Sequence, residues 1–264
     1  MRKVRDKLAF GVFWSNRTYL LSRAKFPVMA AEIADLAGRL GRPPRVLDAG
    51  IGRCRLERLF ALRYPDIAVE WHGIDLLDFR LRIRDDVPGI TRVRGRVDQL
   101  PYADQSFDAV VSCWVLQHLE DPEGSIAELG RVLRPEGLLL LSVPNSPQPI
   151  KWIQERVHGW HVARQRRQGN RFSYLPQIQF YNLPRLRRLI CGVGARPVRV
   201  QGVGFVTGGP LAFLENHEWY YKWNLWCGAR LPRITKQVIC VATGAPQAPG
   251  ATPARTSEET THVP

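Results

Sequence analysis

The sequence lacks any apolar run long enough to cross a bilayer. A clean stretch such as Leu138–Leu141, between Gly137 and Ser142, holds four residues, where a membrane helix needs about 20. Cysteine is sparse and unpaired in pattern. Residues 54, 113, 191, 227 and 240 make no CxxC pair and are odd in number. That argues against a zinc site or a disulfide framework, no metal is expected, and a reducing cytoplasm is. Acids are also few, with 24 Asp+Glu against 38 Lys+Arg in 264 residues. Aromatic residues are plentiful by contrast. Eight Trp, ten Phe and seven Tyr exclude a chain too polar to fold, and the length suits one large α/β domain or two small ones.

The two ends read differently from the middle. Arg2, Lys3, Arg5 and Lys7 precede the apolar stretch Leu8–Trp14, which stops at Ser15-Asn16-Arg17. A secretory leader would need a longer apolar region and a small-residue cleavage site, so this is read as the start of an amphipathic helix. Residues 245–264, rich in Pro, Ala, Thr and Ser, cannot bury enough surface to offset ordering entropy and are expected to be a disordered tail.

The net charge of +14 is uneven. Residues 151–200 hold eleven Lys+Arg and one acid, Glu155. Such a field attracts anions, whether nucleic acid, anionic lipid or an acidic small substrate. Heavy use of arginine on ordinary solvated faces accounts for it equally well.

Short apolar runs alternate with helical patterns. Strands are expected at 45–49, 69–75, 90–94, 107–113, 137–143, 198–206 and 234–242. Helices follow at 55–62, 77–84, 123–133 and 183–190, the last with Asn182 as N-cap and Pro184 in the first turn. Pro135-Glu136-Gly137 reads as the stop between the third of these helices and the fifth strand. Such alternation indicates βαβ units and a mainly parallel sheet.

The informative segment is Val46-Leu47-Asp48-Ala49-Gly50-Ile51-Gly52-Arg53-Cys54. A hydrophobic strand runs into a carboxylate, then into glycines that let a ligand approach the backbone before a helix starts. A dinucleotide turn wants GxGxxG with phosphate over the helix N-terminus, but its third glycine would fall on Arg55, and Asp48 would oppose the phosphates. A cationic ligand suits the acid instead. The segment resembles the first motif of class I S-adenosylmethionine-dependent methyltransferases, an acid followed by GxGxG. It matches at Asp48, Gly50 and Gly52, with Cys54 at the third glycine. Gly95–Tyr102 followed by Asp104–Asp108 is similar to that family's second block. The run Cys113-Trp114-Val115-Leu116-Gln117-His118-Leu119 through Asp121-Pro122-Glu123 to Arg134-Pro135-Glu136-Gly137 is similar to its quinone-biosynthesis branch.

The resemblance implies a doubly wound, mostly parallel, seven-stranded Rossmann-like sheet with an antiparallel last strand and helices on both faces. It implies S-adenosyl-L-methionine as cofactor. The binding residues it points to are Asp48, Gly50, Gly52, Asp75 for the ribose, Leu76 and Val97 for the adenine, Cys113 and Trp114. Arg96 stands where the family usually has an acid, so either Asp98 substitutes or the backbone around Val97 reads the adenine. A bulky residue at Gly50 is expected to block the cofactor and spare the fold. His118 is the candidate base, since imidazole titrates near neutral pH.

The expected organisation is an N-terminal helical cap (1–40), a methyltransferase domain (41–244) and the tail (245–264). Within the domain, segments 145–180 and 205–232 would cap the substrate. The latter carries Trp219, Tyr220, Tyr221, Trp223 and Trp226. The expected activity is methyl transfer to a small-molecule or lipid- or glycan-like acceptor, at oxygen. The setting would be the cytoplasm, with peripheral membrane contact as an option and no obligate protein partner. An RNA methyltransferase using the basic segment and a non-catalytic protein that keeps the fold are the alternatives.

Overall fold

A computed structural model describes residues 24–76, 89–145, 178–205, 214 and 217–244. Helix α1 (Lys25–Leu40) leads into strand β1 (Arg45–Ala49), helix α2 (Arg55–Arg63), β2 (Glu70–Asp75), β3 (Ile90–Arg94) and β4 (Phe107–Cys113). A 3-10 turn (Leu116–His118), α3 (Pro122–Val132) and β5 (Leu133–Pro144) follow. The described chain then resumes with α4 (Leu183–Gly192), β6 (Arg196–Val203), α5 (Glu218–Arg230), a second 3-10 turn (Pro232–Ile234) and β7 (Gln237–Thr243).

The seven strands form one sheet in the order β3-β2-β1-β4-β5-β7-β6. β1 pairs in parallel with β2 and β4, β2 with β3, and β4 with β5. β7 runs antiparallel to both β5 and β6. The central strands are buried on both faces, which is why they read as continuous apolar runs rather than as alternating ones. On one face Val46, Ala109, Val111, Leu138 and Leu140 meet Met29, Ile33, Leu59 and Phe60 of α1 and α2. On the other, Leu47, Val110, Leu139 and Leu141 meet Ile126 and Leu129 of α3 and Leu186 of α4.

The helix starts follow from local chemistry. Asp121 accepts from the Gly124 N–H and precedes Pro122, and Asn182 accepts from the Arg185 N–H with proline in the first turn, as the sequence indicates. The Pro135-Glu136-Gly137 segment differs from expectation. The helix ends at Val132 and pairing with β4 begins at once, at Leu133. Between the pairs Phe107↔Leu133 and Ala109↔Leu138 the register shifts, so this tripeptide is accommodated as a bulge inside β5 instead of a stop before it. The last two strands also begin and end a few residues from their expected bounds. The helix expected at 77–84, the N-terminal amphipathic start, most of segment 145–180 and the tail lie outside the described residues.

Candidate active site

β1 and β4 are neighbours while their onward chains diverge to opposite sides of the sheet, which makes the gap beyond their carboxyl ends the natural ligand crevice. The loop after β1 is built around it. The Gly50 and Ile51 N–H groups both donate to the Ile74 carbonyl, at 2.7 and 3.1 Å, and the Gly52 N–H donates to Asp75 Oδ2 at 3.0 Å. The loop is thereby tied to the end of β2, and the Asp75 carboxylate is oriented by the backbone it faces.

Gly50 (φ 91°) and Gly52 (φ 56°) both need positive φ. Their surroundings differ. A Cβ on Gly50 would collide with the Val115 side chain, whereas at Gly52 the nearest atom would be the Gly50 carbonyl oxygen, 3.8 Å away. A bulky residue at Gly50 therefore disturbs the loop itself, and the expectation that it spares the fold is corrected. Cys54 is also left-handed, at φ 49°, in a place where the resemblance would put a third glycine. Its side chain is buried with Ile51, and burial pushes its thiol up to about 11.

Asp48 and Glu57 form a buried carboxyl pair beneath this loop. Beyond their mutual contact, Asp48 Oδ1 and both Glu57 oxygens meet no donor among the described residues. Burial raises Asp48 to about 7, countered in part by the Glu57 contact and reinforced by the Asp75 charge. Burial and the Asp48 charge raise Glu57 well above the ordinary carboxylate range. The Arg92 charge acts on Glu57 in the opposite sense but does not outweigh burial, so the two packed carboxyls share a proton and are poised to receive a positive group.

Across the crevice, β4 ends in Cys113 and Trp114. Trp114 has φ 60°, an uncommon conformation for a bulky residue that costs on the order of 1–2 kcal/mol. It is held there by its N–H to Ser142 O (2.9 Å) and its indole Nε1–H to Gln237 Oε1 (2.9 Å). Its ring is 36% exposed. Lys25, from the first turn of α1, lies 3.8 Å over that ring, and burial lowers its pKa, opposed by contact with the Cys113 thiol. Burial likewise raises Cys113, to about 11.

The remaining expected residues are placed as follows. Leu76 is 48% exposed just past Asp75. The Gly95 N–H donates to the Asp75 carbonyl, which brings the segment after β3 to the same edge, with Val97 buried. Arg96 points outward and is paired with Asp98 (Nε–Oδ1 2.8 Å), so neither side chain is aimed inward. His118 lies on the 3-10 turn. Its Nε2 is 3.1 Å from Gln117 Nε2, whose amide also donates to the Trp114 carbonyl. An amide nitrogen only donates, so His118 Nε2 is the acceptor and Nδ1 carries the proton.

Sequence reasoning missed Lys25, Glu57, Gln117 and Gln237. Lys25 precedes the motif by over twenty residues and reads as the start of an ordinary helix. Glu57 sits at a position that helical spacing alone leaves on either face.

Residues 47–141 match a family profile described as a methyltransferase domain. A malonyl-[acyl-carrier protein] O-methyltransferase of Halorhodospira halophila is 37% identical over 148 residues, half of each chain. The chain spans about half the length of the curated relatives it matches at this level. Among solved structures, the YcgJ protein of Bacillus subtilis superposes with a TM-score of 0.57 at 16% identity, covering 86% of this chain and 100% of that one. A Burkholderia thailandensis 1,6-didemethyltoxoflavin N1-methyltransferase, solved with S-adenosylhomocysteine, superposes at 0.52 and 17%, covering 92% and 87%. At these identities the superpositions speak for the fold.

Proposed function

We propose that this chain, which carries a class I S-adenosylmethionine-dependent methyltransferase domain, transfers a methyl group to an oxygen of a small, amphiphilic acceptor. The observation that carries this reading is the buried Asp48–Glu57 pair beneath a glycine loop tied to Asp75. A phosphate-bearing ligand would be repelled by Asp75 and by the charge on the Asp48–Glu57 pair, while an amino-acid–nucleoside with an ammonium and a sulfonium suits them. Oxygen as the acceptor atom is supported by the malonyl-[acyl-carrier protein] O-methyltransferase relatives.

The residues present fit the cofactor. Orphaned carboxylate oxygens at Asp48 and Glu57 would receive its ammonium, Asp75 its ribose hydroxyls, and Leu76 with Val97 its adenine. Lys25, over one face of the Trp114 ring, is the cation available to its carboxylate, and the part of Trp114 that Lys25 leaves uncovered would pack near the sulfonium. When bound, the cofactor supplies an electrophilic methyl on a good leaving group. The protein's task is then alignment, which contributes several kcal/mol when reacting atoms are held in line. The strained Trp114 backbone, fixed by Ser142 and Gln237, holds one wall of that alignment. His118 Nε2 is the atom that would take a hydroxyl proton, exchanging its Gln117 donor for the acceptor.

The test is isothermal calorimetry with S-adenosylmethionine, followed by transfer of radiolabelled methyl to thioester-linked and free carboxylic acids. One-to-one binding and label in the ester fraction support the proposal. Binding with label only on nitrogen or carbon acceptors would overturn the choice of oxygen.

A further inference from the structure

Helix α5 carries more apolar surface than the described residues cover. Its buried side, Tyr220, Asn224, Cys227 and Gly228, lies against the sheet, and Gly228 packs backbone to backbone on β6 at Gly202. At 100° per residue, Trp219, Trp223, Trp226 and Arg230 fall within an arc of about 60°, flanking that buried side with their centre about 115° from its own. The three indoles there are 59%, 40% and 55% exposed. A second apolar stripe left in solvent beside a buried one marks a surface for a partner. The patch continues past the helix end into Leu231 (47%) and Ile234 (55%).

The chemistry around the patch selects the occupant. Between residues 217 and 236 there are four Lys or Arg and one acid, and that acid, Glu218, is paired with Lys222 at 2.7 Å. Arg230 stacks on Trp226 at 3.9 Å, and Arg233 and Lys236 stand exposed beside Ile234. Exposed Trp, aliphatic tips and arginine in one stripe are the composition that seats at the headgroup level of a bilayer, and the positive surplus complements anionic lipid.

The patch also leads to the crevice. Asn145, which follows β5, donates from Nδ2 to the carbonyls of Arg233 (3.0 Å) and Thr235 (2.8 Å), and Gln237, two residues on, receives the Trp114 indole. The Leu231–Ile234 turn is therefore fastened to the rim of the candidate active site. We propose that α5 and this turn dock on an anionic membrane surface and that the acceptor enters from the lipid phase. The docking part stands on the patch alone, and the acceptor part rests on the methyltransferase reading above.

The experiment is co-sedimentation of the full chain with phosphatidylcholine vesicles with and without phosphatidylglycerol. It compares the native sequence with a Trp219→Ala/Trp226→Ala variant whose fold is checked by circular dichroism. The native chain should pellet with the anionic vesicles, and the variant should bind them about tenfold more weakly. Its affinity for S-adenosylmethionine should be unchanged, which separates failure of docking from failure of the methyltransferase reading. Absence of vesicle binding, or equal binding by the variant, would overturn the proposal. So would a native dimer in sedimentation equilibrium that the variant dissolves, since a second copy would then be the occupant.

Discussion

Gly50 and Gly52 stand two residues apart in one loop, yet substitution should separate them cleanly. Gly52→Ala adds a methyl at ordinary contact distance from the Gly50 carbonyl, at a cost of about 1 kcal/mol for positive φ, so it should weaken cofactor binding with a small change in melting temperature. Gly50→Ala drives a methyl into Val115 and should lower the melting temperature markedly as well. Thermal unfolding and calorimetry on the two variants check this. The carboxyl pair gives a pH signature. Asp48 and Glu57 have raised pKa values in the folded chain, so the folded state holds protons the unfolded state has lost. Their contribution to stability is full below the ordinary carboxylate range and declines as pH rises toward and beyond 7. In Glu57→Gln the melting temperature of the cofactor-free protein should therefore fall less between about pH 5 and about pH 8 than in the native chain. Native affinity for the cationic cofactor should rise over the same window.

At the scale of elements, Asp108 joins three of them at the amino-terminal side of the sheet. It accepts from Arg42 (2.7 and 2.9 Å), from the Arg45 N–H that opens β1 (2.8 Å), and from Arg134 in β5 (2.5 Å). Burial alone would raise its pKa, but these donors outweigh burial and hold it at about 2. Asp108→Ala should cost about 2 kcal/mol in denaturant unfolding, because it strands several charge-assisted hydrogen bonds at once. The sheet itself was legible in the sequence because its central strands are buried on both faces and so appear as unbroken Val, Leu and Ala runs. Asp48, Gly50 and Gly52 were legible because their spacing is local, and Asp75 because it ends the next strand where the resemblance places an acid. Lys25 and Gln237 were not. Each reaches Trp114 only through tertiary packing, one from the helix before the sheet and one from its last strand. The Pro135–Gly137 bulge was misread as a stop since strand pairing across a bulge leaves no local mark.

For the molecule as a whole, three carboxyls and one lysine gather at the carboxyl edge of the parallel strands, while the Trp219–Trp226 stripe is exposed on α5. No described helix is long and apolar enough to cross a membrane, and the contact proposed for α5 is made by one face of a 13-residue helix. The account turns on the crevice accepting a cation next to Asp48 and Glu57. The most direct measurement is calorimetric titration of the native chain and of Asp75→Ala with S-adenosylmethionine and, separately, with NADH. A crevice built for S-adenosylmethionine binds it one to one, at least tenfold more weakly in Asp75→Ala, and gives no heat with the dinucleotide. Preferential binding of NADH, or S-adenosylmethionine affinity indifferent to Asp75, would contradict it.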